Sequence, residues 1–185
     1  NLQINNDGAP QLGSTPASWN SMGSAWLHPG EMNTISAPVW DMNGISDLAT
    51  IEINLASNQL APVNILWNAT SGQCTTNEMF MTIDACSLLP IDSASLFPTE
   101  GQFVANFSLE WGFDPDVSLV RVPSLLLHDH SGQSTIGMLS DLDWRFSGEM
   151  SLPRDGIDYT TNGDTMEGLG TWIQPRTEVG VFGDL

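Results

Sequence analysis

The chain contains no lysine. Its strong bases are four arginines, Arg121, Arg145, Arg154 and Arg176, set against 22 Asp and Glu, and the net charge is −18 at pH 7. The acids are present in ordinary numbers, so the imbalance comes from missing cations. A surface of this sign repels nucleic-acid phosphates and anionic membranes, which removes nucleic acid from the partner classes, and it attracts divalent cations. Charged residues of both signs make up only 14% of the chain, against about 25% in typical domains. Ser, Thr, Asn and Gln build the polar surface instead. With 41% hydrophobic residues, the chain reads as folded rather than as an acidic disordered tail.

Other absences narrow the reading further. No apolar run approaches the length of a membrane span, so no membrane insertion is expected in this segment. No C-x-x-C or Cys/His spacing suggests zinc. No G-x-S-x-G elbow appears, so a serine hydrolase of that type is not indicated. No window of useful length places apolar residues at i, i+3 and i+4 between caps. The chain opens on Asn1 without a signal peptide. Its N-terminus is therefore read as processed or cut, with any anchor or targeting segment outside it.

What is present is period-two alternation. Ala49, Ile51, Ile53 and Leu55 share one face of DLATIEINL. Phe103, Ala105, Phe107, Leu109 and Trp111 share one face of QFVANFSLEW, and Leu142, Trp144, Phe146, Met150 and Leu152 alternate with polar residues. Half-apolar alternation of this kind predicts antiparallel strands with one face in a core. Shorter candidates lie at 34–40, 61–67, 78–84, 117–128 and 177–183, punctuated by Gly, Pro, Asn and Asp. The fold class is all-β, an antiparallel β-sandwich. Residues 1–25, rich in Asn, Ser, Gly and Pro, read as a linker or lead-in.

Certain phrases recur. Trp26-Leu27-His28-Pro29 is echoed by Trp172-Ile173-Gln174-Pro175, with a fainter echo at Pro98. SGQ occurs at 71–73 and 131–133, each time after an apolar strand, and WDMN at 40–43 resembles FDPD at 113–116. Their common order predicts two sandwich units in tandem, 26–93 and 94–170. Residues 171–185 would then supply the first strand of a further repeat or a closing strand. The alternative is one large sandwich over 26–185. On these phrases and the D-x-N-G-x-x-D turn, residues 24–185 resemble the tandem immunoglobulin-like β-sandwich repeats of large secreted or cell-surface microbial proteins. That resemblance implies an extracellular or cell-surface location. One departure stands out. Antibody-type domains pin a buried Trp against an inter-sheet disulfide, and Cys74 and Cys86 look too close in sequence for that.

The two cysteines either close a short loop by a disulfide, as an oxidising compartment would favour, or remain buried thiols. Asn68-Ala69-Thr70 and Asn106-Phe107-Ser108 are glycosylation sequons and point the same way. In DMNGISD, Asp41, Asn43 and Asp47 surround Gly44, a pattern of oxygen ligands about a sharp turn that suits calcium. Glu52 falls at the EF-hand twelfth position, but within a predicted strand. A bland strand-entry turn accounts for the same residues. Asp155, Asp158, Asp164 and Glu167 form a second acidic cluster. His128 and His130 are spaced for one face of a strand, as in metal-binding jelly rolls, but a third ligand is missing. Trp19 and Trp40 are the freer candidates for a sugar-stacking platform, whereas Trp111 and Trp144 fall on core faces.

Three functions fit these features. The leading one is an extracellular structural or adhesive repeat region without catalysis, whose partners would be neighbouring repeats, surface proteins or glycans. The others are a carbohydrate-binding module and a jelly-roll hydrolase domain. The scarcity of bases carries its own prediction. Native protein incubated with trypsin stays largely intact over hours, as followed by gel electrophoresis; rapid fragmentation would contradict it.

Overall fold

Strands form where the sequence alternates, and the pairing between them decides the architecture. The computed structural model describes residues 8–20, 24–57, 63–110, 112–113 and 120–146. Along the chain these form β1 (Gln11–Leu12), β2 (Ser18–Trp19), β3 (Ser24–Leu27), β4 (Met32–Trp40), β5 (Leu48–Asn54) and β6 (Asn64–Asn68). There follow β7 (Gln73–Thr76), β8 (Met81–Pro90), β9 (Glu100–Leu109), β10 (Ser124–Asp129), β11 (Ser134–Met138) and β12 (Asp143–Phe146). Among the described residues there is no α-helix, only a 3-10 turn at Ile45–Asp47.

Two antiparallel sheets face each other. The first runs β1-β4-β9-β8, with β2 also on β4, and the second runs β11-β10-β5-β6-β7. These are the A-B-E-D and G-F-C-C′-C″ orders of a variable-type immunoglobulin sandwich. A short parallel pair, β3 with β12, stands outside both sheets.

The inward faces follow the alternation except at the start of β5, where Leu48 is buried in place of Ala49 beside the register shift in β10. Ile51, Ile53 and Leu55 from the second sheet and Phe103, Ala105, Phe107 and Leu109 from the first are fully buried. Each large side chain among them contributes roughly 1.5–3 kcal/mol by leaving water. In β8 the alternation slips between Ile83 and Ala85, where the register with β9 shifts at a bulge. The inward set is therefore Met81 and Ile83, then Cys86 and Leu88.

The division into two tandem units does not survive this pairing. β4 pairs with β9 from Met32↔Ser108 to Trp40↔Glu100, and β5 pairs with β10 from Ser124↔Asn54 to Asp129↔Leu48. Strands from either side of residue 93 are thus neighbours in both sheets, and one buried cluster runs from Trp19 to Phe146. Neither half could satisfy its central strands alone. The echoed SGQ phrases have a local cause. They close two hairpins, β6–β7 and β10–β11, that flank β5 in one sheet, and each uses a glycine with positive φ, Gly72 at 67° and Gly132 at 90°. The Trp26 phrase is β3 and its exit, and the Trp172 phrase lies outside the described residues.

The lead-in also needs correcting. Within 1–25, β1 and β2 both pair with β4. Trp19 is 0% exposed and meets Phe107 and Trp144 edge-on at centroid distances of 6.1 and 6.0 Å. A single large ring among polar residues gives no periodicity, yet it fills one end of the core.

Cys74 and Cys86 are bonded, with Cα atoms 6.2 Å apart. β7 is the edge of the second sheet and β8 the edge of the first. The bond therefore does join the two sheets, contrary to the argument from sequence distance. It does so because residues 77–80 carry the chain from one sheet to the other between the two cysteines. The strands that hold the antibody bond, here β4 and β10, present Ile35, Ala37, Leu125 and Leu127 to the core instead. Closing this loop restricts the unfolded chain by about 3 kcal/mol. Reduction, or Cys86→Ser, should lower unfolding free energy by about that amount in a urea titration. An unchanged midpoint would show the bond to be energetically idle.

Candidate functional site

Four connections meet at one end of the sandwich. They are 41–47 between β4 and β5, 69–72 between β6 and β7, 91–99 between β8 and β9, and 130–133 between β10 and β11. The registers Trp40↔Glu100, Thr50↔Asn68, Pro90↔Gly101 and Asp129↔Leu48 bring them together. In antibody variable domains the equivalents of the first, second and fourth are the binding loops.

The first connection is shaped by its own polar atoms. Asp41 Oδ1 accepts from the Asn43 N–H at 2.7 Å, and the Asp41 carbonyl accepts from the Gly44 N–H at 3.1 Å. Gly44 sits at φ 101°, a conformation that L side chains rarely adopt. The Asp41 and Ile45 N–H groups donate to the carbonyls of Thr99 and Pro98, both at 2.9 Å, which ties the 91–99 connection alongside. In the fourth connection, Asp129 Oδ1 accepts from the Ser131 hydroxyl at 2.8 Å and the Gln133 N–H at 2.7 Å. The His130 N–H donates to the Asp47 carbonyl at 2.9 Å and fastens this turn to the first.

These contacts bring Asp41, Asp47 and Asp129 together. One carboxylate oxygen from each lies within 4.8 Å of the others. Asp41 is 0% and Asp129 3% exposed, while Asp47 is half-buried. Burial alone would raise the Asp129 pKa. The Ser131 hydroxyl and the N–H groups of Gln133, Ser131 and Gly132 oppose it, and the net shift is downward. The charged carboxylate is the favoured form there.

Of the residues singled out from sequence, Asp41 and Asp47 are in this cluster. Asn43 is exposed at its rim, where its Nδ2 donates to Asp47 Oδ2 at 3.3 Å. Asp129 was missed, although the signal was there. Leu125 and Leu127 face inward, and period two places Asp129 on the same face. His128 and His130 do not form a pair on one strand face. β10 ends at Asp129 after a register shift, leaving His128 half-buried and His130 exposed in the turn. The cluster of Asp155, Asp158, Asp164 and Glu167 lies outside the described residues.

Trp19 is no sugar platform, since it is buried. Trp40 is half-buried at the end of β4, and Trp144 is in the core, its Nε1 donating to the Leu55 carbonyl at 2.7 Å. Trp111 lies outside the described residues. Asn68 is exposed at a hairpin turn, where its Oδ1 accepts from the Thr70 N–H at 2.9 Å. Asn106 is half-buried in mid-strand, and its Oδ1 accepts from the Thr34 hydroxyl at 2.8 Å.

No protein-family model and no curated protein matches the chain. Among solved structures it is similar to murine CRIg, at 11% identity and a TM-score of 0.37, covering 75% of this chain and 98% of that one. It is also similar to BcpA, the major pilin subunit of Bacillus cereus, as the D312A form, at 6% identity and 0.39, covering 76% of this chain. The sialic acid binding region of a Streptococcus sanguinis SK1 adhesin follows at 11% and 0.36, covering 77%. The chain spans 41% of the pilin structure and 30% of the adhesin structure.

The Ser131 hydroxyl bond to a buried charge has a measurable consequence. Ser131→Ala should cost about 1–2 kcal/mol of stability near neutral pH, read by urea unfolding. A change below the error of the titration would mean that water replaces the hydroxyl without loss.

Proposed function

We propose that this chain is an extracellular adhesive and structural module without catalytic activity, and that it binds through the loop end of its sandwich. The observation that carries this reading is the exposed apolar pair at the tip of the 91–99 connection. Leu96 is 90% and Phe97 79% exposed. Their loop is held against the 41–45 turn by two backbone hydrogen bonds to the carbonyls of Pro98 and Thr99. A presented aromatic and its aliphatic neighbour, rimmed by polar residues, are the composition of an interaction surface. The Cys74–Cys86 bond supports an oxidising, extracellular setting.

The rival functions find less support. A sugar platform needs open, coplanar ring faces. Trp26, 54% exposed, has the Arg145 guanidinium over its ring at 5.4 Å from the centroid. A hydrolase needs carboxylates that substrate and water can reach, and Asp41 and Asp129 are sealed from solvent.

Adhesion tests the proposal. Beads carrying the chain are challenged with a panel of bacterial and animal cells and with glycan-coated surfaces. The wild-type chain should adhere to at least one. The double variant Leu96→Ser/Phe97→Ser should bind about tenfold less while melting at the same temperature. Failure of the wild-type to adhere anywhere, or equal adhesion by the variant, would overturn it.

A further inference from the structure

We infer that Asp41, Asp47 and Asp129 form a calcium site that joins the two sheets at the loop end. This inference goes beyond the adhesive reading and does not depend on it. The three carboxylates come from different parts of the fold. Asp41 leaves β4 in the first sheet, Asp47 enters β5 in the second, and Asp129 closes β10. Their oxygens converge within 4.8 Å, a span that a single cation can bridge.

A second observation points to a ligand. Asp129 is 97% buried, and its Oδ1 is fully engaged by Ser131 and Gln133. Its other oxygen, Oδ2, is buried and takes no hydrogen bond among the described residues. Buried carboxylate oxygens are ordinarily satisfied by donors or by a metal. Here the nearby side chains of the cluster are themselves carboxylates, which cannot donate when charged.

The donor set selects the ion. It is all oxygen, which suits a hard cation and disfavours zinc or copper. Calcium takes six to eight oxygens in loose geometry. Magnesium demands a near-ideal octahedron and keeps its waters. With Asp41 and Asp129 buried, the half-buried Asp47 is the side from which water would complete a calcium shell. The net charge of −18 raises the local concentration of any divalent cation. Occupancy would tie the exit of β4, the start of β5 and the β10–β11 turn into one unit, and so stiffen the end from which Leu96 and Phe97 project.

The test uses the whole chain at fixed ionic strength. Melting is followed in calcium chloride, in magnesium chloride and in chelator, and calcium affinity is measured by titration calorimetry. Calcium at a hundred-fold excess over Kd should raise Tm by about 5–10 °C over chelator, with magnesium giving much less. Asp129→Asn keeps the acceptor for Ser131 and Gln133 but removes the charge, and should abolish the shift. Should that variant fail to fold, Asp47→Asn, at a half-exposed position, should weaken calcium at least tenfold. No calcium shift in the wild-type, unchanged affinity in Asp47→Asn, or an equal shift with magnesium would each overturn the assignment.

Discussion

The pairing of β4 with β9 and of β5 with β10 is the constraint on which the rest depends. Each pair joins a strand from the first half of the chain to one from the second. Both occupy interior positions in their sheets, where a missing neighbour leaves a row of buried backbone groups without partners. The core follows from the same pairings. Phe103 and Phe107 face Ile51, Ile53 and Leu125 only because both pairs are formed. The contacts that build the core therefore span long sequence separations, as is usual for sandwiches dominated by non-local pairing.

Around that centre, three devices deal with the places where a two-sheet sandwich is weakest. At the β7/β8 edge, a covalent bond holds the sheets together where no further strand can. At one end of the core, Trp19, Phe113, Trp144 and Phe146 stack in edge and face contacts, and the Arg121 guanidinium lies 5.1 Å from the Trp144 ring centroid. That arginine is buried, which withdraws one of the few bases from the surface and leaves it more acidic still. At the loop end, hydrogen bonds from His130 to Asp47 and from Ile45 to Pro98 bind three connections into one platform. The loop with the exposed apolar pair rests on a turn whose own shape is set by a buried carboxylate.

The candidate site was half legible. Asp41 and Asp47 stand out because they flank an Asn-Gly turn, a local signal. Asp129 sits between two histidines, and only the core phase of β10, continued through Leu125 and Leu127 to the strand's last residue, turns it inward. The echoes read as a repeat were real likenesses with a different cause. Hairpins on either side of one strand meet the same backbone demand and use the same glycine. Trp19 illustrates the opposite limit. An isolated ring in a polar segment carries no phase, so only its neighbours reveal its role.

By itself, the sequence determined the buried face of the regularly alternating strands such as β9, that the surface is acidic, and where the turns fall. These are local properties, set by side-chain alternation, charge count and backbone preference. Tertiary structure alone decided that there is one sandwich rather than two, that the disulfide joins sheets, and that three distant aspartates share a space. Each of those depends on which strand lies beside which. Strand partners are chosen by burial summed over the whole core, and no short stretch of the chain contains that sum.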